Sequence, residues 1–525
     1  MLSKPIIISD WDGGLADSPY KGGRNQYAAI VGLDYDSYPG VLQIERPMAV
    51  VTGDSGGSPV VKGYVKWFVN INSNTTTTVY ALDDDVSDVT RILRSTNGGA
   101  AWSLFQIVGS ADSPFNANGG IFWNNYFLFA SDKHLGYYKS GGSPEWNPTW
   151  LSFVVDGDQG GVDIDWHPMI RALRDGSLYI GCARYVALLT VVSGKTFDPA
   201  DSTTYSFTAR ALDIPAEFRI RSMAEVGDLL FLGCWKRVGT DDFSVAVIFP
   251  WNYVLRPQSH EGGLFKDKVR GIYALLNIDN TLYTFMSTWE EIFYFNGAQF
   301  VRLKQIPQMM SSHIGIISLS GSGAGSVKEH KNMPHFGEPN STTYEVPGGV
   351  YRYGTPDRSK YPLSLNLPYP LSPGQSKDYQ VIALGACDFG GRRLLASWNN
   401  ETDGTYGIDR LNLDSRLATG AYFETLLMHI GTVQEKSKIE KFEIYLDGPL
   451  ATGQVITLKY RRKASGSWTT IAEGANTVTF SFALHGAKSE IYIPFNVDRV
   501  VNIQFRCEFT TSGDTTPKLR TILIQ

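Results

Sequence analysis

Apolar residues in this chain come in short runs broken by polar turns, and the runs recur at a fixed interval. Leu178-Tyr179-Ile180-Gly181-Cys182, Leu230-Phe231-Leu232-Gly233-Cys234 and Leu282-Tyr283-Thr284-Phe285-Met286 align without gaps at a spacing of 52. The same step backwards lands on Tyr126-Phe127-Leu128-Phe129-Ala130. Each run is apolar, Thr284 apart, and too short for a helix, which predicts a strand buried on both faces. A second apolar segment and a polar turn precede each one: Met169-Ile170-Arg171 leads through Arg174-Asp175-Gly176, Ile220 to Met223 through Glu225 to Asp228, and Val269 to Ile272 through Asp279-Asn280. These read as hairpins. Looser copies at Val65 to Val69, Val350 to Tyr353 and Leu394 to Ser397 extend the series to about seven units. A repeat of this length is that of a four-stranded propeller blade.

The long gap before Val350 is filled by a polar, Gly/Ser-rich insertion, about 321–344, that carries His330 and His335. Ser95-Thr96-Asn97-Gly98-Gly99-Ala100-Ala101-Trp102 resembles the Asp-box turn of sialidase-like propellers, with Asn in the place of Asp. That resemblance implies a hairpin brace in which the polar residue bonds turn amides and the Trp packs into the blade. A propeller closes by lending a terminal strand to the blade at the opposite end, and Leu42 to Val51 or Tyr422 to Ile430 is placed to do so.

The two ends follow other patterns. Residues 1–46 are dense in Gly and Pro, as in Gly13-Gly14 and Pro39-Gly40, and predict an extended arm with little core of its own. Such an arm needs a neighbour to lie against, so its deletion is expected to leave a folded monomer that no longer assembles. From 419 to 525 the polar–apolar alternation sharpens. Lys441 to Leu446, Val455 to Tyr460, Ile491 to Phe495 and Val501 to Phe505, with turns between, predict a β-sandwich. The expected architecture is all-β: arm 1–46, propeller 47–418, sandwich 419–525.

Composition agrees with that pattern. There are 27 Tyr, 27 Phe and 12 Trp, with 53 Gly and 25 Pro, and only 19% of residues are charged. No apolar run approaches the roughly 20 residues of a membrane-spanning helix. Asp10 and Asp12 follow the short stretch Ile6 to Ile8 at once, which argues against a secretory leader and for folding in the cytosol. Cys182, Cys234, Cys387 and Cys507 lie far apart, without the spacing of a zinc site or a disulfide framework, and are expected to be buried free thiols. The net charge of −5 and the lack of basic runs argue against tight nucleic-acid binding.

The N-terminal Gly-Gly-Leu of residues 13–15, Pro39-Gly40-Val41-Leu42, the propeller and a sandwich ending near Pro517-Lys518-Leu519 together resemble tail proteins of tailed bacteriophages, most of all the propeller-bearing nozzle and tail-tip components. The resemblance implies a virion protein assembled in the host cytoplasm. Copies of it would form a symmetric ring among neighbouring tail proteins, with double-stranded DNA passing through the lumen and no stable membrane insertion. In a DNA conduit the wall is expected to be neutral to acidic, with Asp83 to Asp88 and Asp156 to Asp165 as candidate wall loops.

Catalytic and cofactor chemistry finds little support in the residues. Asp156-Gly157-Asp158 through Asp163-Ile164-Asp165 has spacing that can wrap Ca²⁺, but His167 stands near where an EF-hand needs Glu, so a solvated loop is the simpler reading. Asp83-Asp84-Asp85 with Asp88 reads the same way. Arg171, Arg221 and Arg270 recur at similar repeat positions and suggest a ring of charge or a sialidase-like cluster. His134, His167, His260, His313, His429 and His485 stand singly. Tyr137, Trp146, Trp150 and Trp166 form a Gly/Pro-rich aromatic stretch suited to stacking on sugar rings, which keeps a glycan-recognising adhesin as the alternative and a glycan-cleaving tailspike behind it. The residues by themselves lead to the expectation of a chain that is not an enzyme, with no catalytic, cofactor or metal site.

Overall fold

In the computed structural model, the residues described exclude 1–4, 17–19, 52–60, 73–76, 86–88, 140–144, 155–166, 239–241, 256–264, 268–271, 287–290, 306–334, 339–348, 354–364, 373–378, 389–391, 433–436 and scattered single or paired positions. The fold is an all-β, seven-bladed propeller joined to a β-sandwich, with an extended N-terminal segment running between them. Blades one to five follow the chain in order. Their innermost strands are Gly63–Asn72, Ala117–Trp123, Met169–Arg171, Phe218–Val226 and Ile272–Ile278, each followed by antiparallel neighbours towards the outside. Blade six is built from His335–Glu338, Gly349–Tyr353 and Leu365–Pro370, and blade seven from Tyr379–Asp388, Arg392–Asn400 and Thr405–Leu411.

The 52-residue repeat is the second strand of successive blades. Tyr126–Ser131, Leu178–Cys182, Leu229–Val238 and Thr281–Met286 occupy that position in blades two to five. Leu178, Leu230 and Leu282 are all buried, as are Cys182 and Cys234. Apolar clusters lie between blades rather than within them: Trp67, Val69 and Tyr80 of blade one pack on Phe127 and Phe129 of blade two, and Ala224 and Phe231 of blade four pack on Ile272 and Leu275 of blade five. Both faces of each sheet are therefore dry, which explains why the second strands are apolar without alternation. Leu230→Ala is expected to lower the unfolding free energy by about 2–5 kcal/mol, read from the urea midpoint of the variant. A loss below about 1 kcal/mol would mean that the strand is not held between blades.

Two repeat copies differ from the sequence reading. Val65 to Val69 lies in the innermost strand of blade one, and the second strand of that blade is Thr77–Asp85. Within 321–344, expected to be an insertion, His335–Glu338 is a blade strand paired with Gly349–Tyr353, His335 opposite Arg352. Its short, polar sequence gives no apolar signal.

Closure comes from the N-terminal side. Met48–Val50 pairs with Thr405–Leu411, Met48 opposite Leu411 and Val50 opposite Asp409, and completes blade seven. The alternative, Tyr422 to Ile430, goes elsewhere: Ala421–Thr425 is a sandwich strand between Tyr27–Val31 and Asn502–Thr510.

The N-terminal segment shares a core with the rest of the chain, contrary to the expectation of an arm with little core. Tyr27–Val31 takes the fourth-strand position of blade six. It lies parallel to Leu365–Pro370 through Val31 and Leu367, with the Gly32 amide donating to the Leu367 carbonyl at 2.8 Å. One sheet thus runs from blade six through Tyr27–Val31 into the sandwich strands Ala421–Thr425, Asn502–Thr510 and Val455–Arg461. The facing sheet has the order Ile6–Ile8, Leu519–Ile524, Ser437–Leu446, Glu490–Val500, so its outer strand also comes from the N-terminal segment. Trp11, Leu15, Tyr27, Ile30, Leu42 and Ile44 are buried in the same cluster as Phe423, Phe442 and Phe509 of the sandwich. Trp11 packs edge-on against Phe423 at 5.2 Å, and the segment owes its order to that apolar core.

Candidate functional site

Several of the residues singled out for chemistry turn out to serve packing. Trp146 stacks on Phe129 at 5.0 Å, and the Trp150 indole N–H donates to the Tyr205 hydroxyl at 3.1 Å while its ring meets Tyr137 edge-on at 5.3 Å. Trp150 and Tyr137 fill the outer seam between blades two and three, together with Trp123 and Phe197, while Trp146 packs into the seam between blades one and two, and the three leave no open stacking platform among themselves. Trp166 lies outside the described residues. Asp83 belongs to no exposed wall loop: it is buried, and it accepts from the Lys62 and Gly63 amides at 3.1 and 3.0 Å and from Arg91 at 2.9 Å. Asp88, the whole stretch Asp156 to Asp165, Arg270, His260, His313 and His330 lie outside the described residues.

Arg171 and Arg221 do not occupy equivalent positions. Arg171 lies opposite Leu178, the place that Glu225 takes opposite Leu230, whereas Arg221 sits at a bulge between Ile220 and Ser222 with its guanidinium 4.9 Å over the Trp235 ring. No ring of charge follows from them. His134, His429 and His485 each meet a nearby polar group, at Ser152, Asn502 and Ser481. All four cysteines are free and buried, and burial pushes the Cys234 and Cys507 thiols well above their ordinary range. Among the described residues no group of three or more His, Cys, Asp or Glu side chains gathers to hold a metal, and no helix is long and apolar enough to cross a membrane.

The Asp-box-like turn joins the third and fourth strands of blade one. Asn97 Oδ1 accepts from the Ala101 amide and the Ser95 hydroxyl, both at 2.9 Å. The Ser95 hydroxyl in turn accepts from the Gly99 amide at 2.8 Å, and the Trp102 indole donates to the Gly99 carbonyl at 3.1 Å. Gly98 and Gly99 both have positive φ, 62° and 79°, which a Cβ would strain. Asn97 supplies the same acceptor that an Asp would. The turn docks on blade seven, where the Cys387 thiol donates to the Gly98 carbonyl at 3.0 Å, so its role here is closure of the ring.

The most elaborately built polar constellation lies on the face formed by the strand-one-to-two hairpins, across blades three, four and five. Glu225 ends the innermost strand of blade four and is buried. One carboxylate oxygen accepts from the Tyr253 hydroxyl at 2.8 Å, the other from the Leu173 amide at the tip of the blade-three hairpin, while its backbone carbonyl accepts from Asn277 of blade five at 2.6 Å. Tyr253 holds a left-handed backbone, φ 65°, a strained state for a bulky side chain. Its ring lies 5.0 Å from Tyr179 and beneath the Arg174 guanidinium at 4.7 Å. Burial, and then the bond to Glu225, push the Tyr253 hydroxyl far above its ordinary range, so it stays a donor. With both oxygens engaged, the Glu225 carboxylate fixes the geometry of the hairpin tip. Sequence reading saw Glu225 only as a turn residue and passed over Tyr253; the available signal was an acid beside an otherwise apolar hairpin.

His167 enters the innermost strand of blade three. It is fully buried, stacks on Phe153 at 5.1 Å, and places Nδ1 3.2 Å from the Gly181 carbonyl. Burial lowers its pKa to about 4. A base whose folded pKa is lowered leaves the unfolded chain holding the extra proton between the two values. Its contribution to stability is therefore complete above pH 6.5 and is lost as pH falls towards about 4. Replacing it by His167→Gln is expected to remove about 3 kcal/mol of the stability difference between pH 7 and pH 4. Urea melts of the two proteins at each pH measure this, and parallel pH profiles would refute it.

No model of a known protein family and no curated protein matches this sequence. Solved structures do resemble its fold. An exo-β-1,3-galactanase from Phanerochaete chrysosporium aligns over 92% of this chain and 100% of its own at 11% identity, with a TM-score of 0.31. A glycoside hydrolase family 43 arabinoxylan arabinofuranohydrolase from Bacillus subtilis aligns over 88% and 96% at 10% identity, TM-score 0.27. PorZ, a surface component of the type-IX secretion system of Porphyromonas gingivalis, aligns over 85% of this chain and 60% of its own at 12% identity, TM-score 0.42. Likeness at this level concerns the fold alone and assigns no residue of this chain a role. It nevertheless overturns the expectation of a chain that is not an enzyme, because glycoside hydrolases stand among the structures that share its architecture.

Proposed function

We propose that this chain is a structural subunit of a bacteriophage tail, copies of which form a symmetric ring around a passage for double-stranded DNA. The observation that carries the reading is the joint between its parts. Residues 5–50 run from an outer strand of the sandwich, through the fourth-strand position of blade six, to the closing strand of blade seven. A sheet continuous across both domains resists hinging, which suits a subunit that must hold its shape while neighbours pull on it. The order of arm, propeller and sandwich supports the same reading. The adhesin alternative loses ground because Tyr137, Trp146 and Trp150, which motivated it, pack into two seams between blades. Mass spectrometry of purified particles, followed by imaging with an antibody to this chain, tests the proposal. The expected result is a ring on the tail axis. Absence from particles, or label only on peripheral projections, would overturn it.

A further inference from the structure

The clamp around Glu225 presents an unusual surface. Leu173, at the hairpin tip that Glu225 holds, is 86% exposed, more than any other large apolar side chain described. Val254 and Leu255, directly after the strained Tyr253, are exposed as well. Arg171 and Arg174 flank Leu173, are themselves exposed, and make no ion pair among the described residues. A buried carboxylate and a strained tyrosine thus hold a cationic, apolar knob in one conformation. Fixing a contact surface in advance removes the ordering cost of binding.

The same chain carries a surface of opposite character. On the outward face of the sandwich sheet, Ile7, Leu523, Glu443 and Tyr492 form one row across four strands. Ile7 and Tyr492 are 62% and 59% exposed. Glu443 is bound to Lys441 at 2.8 Å, while Glu490, one position along the same face, is exposed and makes no ion pair among the described residues. A partly apolar row beside a carboxylate outside any described ion pair complements an apolar knob whose two guanidinium groups are also outside any described ion pair, although that of Arg174 lies over the Tyr253 ring.

We propose that the blade-three knob of one copy seats on the Ile7–Tyr492 row of a second copy, Leu173 against the apolar row and Arg171 or Arg174 against Glu490. Because the two patches differ, the contact is heterologous, and repetition builds a ring when the rotation closes. The inference rests on the ring-subunit reading above and names its interface.

The test is sedimentation of the full chain from about 1 to about 100 µM. Wild type is expected to associate with rising concentration. Leu173→Asp and Tyr492→Ala are each expected to weaken association by at least about tenfold. Both side chains are exposed, so melting temperatures should not change. Arg174→Glu and Glu490→Arg should each weaken it too, and the double variant should recover most of the loss. A chain that stays monomeric throughout, or association indifferent to Leu173→Asp and Tyr492→Ala, would overturn the contact. Particles that contain the chain but tolerate Leu173→Asp would also remove this interface, and would leave the tail reading standing. Absence from particles with association still sensitive to Leu173→Asp would remove the tail reading and keep the interface.

Discussion

Deleting residues 1–46 is expected to leave no cooperatively folded protein. Trp11, Leu15, Tyr27, Ile30, Leu42 and Ile44 sit in the sandwich cluster, and burying one such side chain is worth about 1.5–3 kcal/mol. Six of them sum to roughly the whole net stability of a domain, about 5–15 kcal/mol. The deletion also removes Tyr27–Val31 from the middle of a sheet, leaving Leu365–Pro370 and Ala421–Thr425 each with a row of unpaired backbone groups. This reverses the sequence-based expectation of a folded monomer that merely fails to assemble. Thermal melts of the truncated chain, followed by circular dichroism, check it. A soluble product that melts cooperatively near the wild-type temperature would show that the segment is dispensable to the fold.

Replacing Arg352 by Ala is expected to cost about 3–5 kcal/mol. Arg352 is fully buried in blade six, with Nη2 4.0 Å from Asp34 and Nη1 3.8 Å from Glu45. Both carboxylates come from the N-terminal segment and are themselves buried, and Asp34 also accepts from Gln43 at 3.2 Å. Removing the guanidinium takes away a buried cation that stands beside both acids, and like charges in a dry seam repel as well as lack solvent. The penalty comes from stranding charge rather than from losing attraction. Combining Arg352→Met with Asp34→Asn and Glu45→Gln should therefore recover most of the loss. Urea midpoints of the single and triple variants decide this: equal destabilisation in both would place the effect in packing alone.

Both predictions bear on the joint between propeller and sandwich, and on the surfaces that joint holds in place. If the truncated chain fails to fold, assembly must be probed by point substitutions such as Leu173→Asp, whose side chain lies in solvent.

The sequence by itself determined the elements that local pattern controls. The runs at 126, 178, 230 and 282 are strands because short runs of apolar residues, broken only by Thr284 in the last, bury both faces of a sheet. Lys441 to Leu446 alternates because one face of the sandwich meets water, and the turn at Asn97 announces itself because two glycines must adopt positive φ. Tertiary structure decided whatever depends on partners distant in sequence. Gly and Pro around residues 13–40 hid the short strand Tyr27–Val31, whose strand partners, Leu367 and the run from Tyr422 to Thr425, lie hundreds of residues away. Nothing local favours Met48–Val50 over Tyr422 to Ile430 as the closing strand, since either could satisfy the free edge of blade seven. Arg171 and Arg221 looked equivalent by counting, but the turn at 172–177 is longer than the one at 227–228, so pairing with the second strand sets Arg171 against Glu225 instead. The clamp of Glu225, Tyr253 and the Leu173 amide joins adjacent blades through single hydrogen bonds, and a hydrogen bond between distant residues leaves no period in a sequence for reading to find.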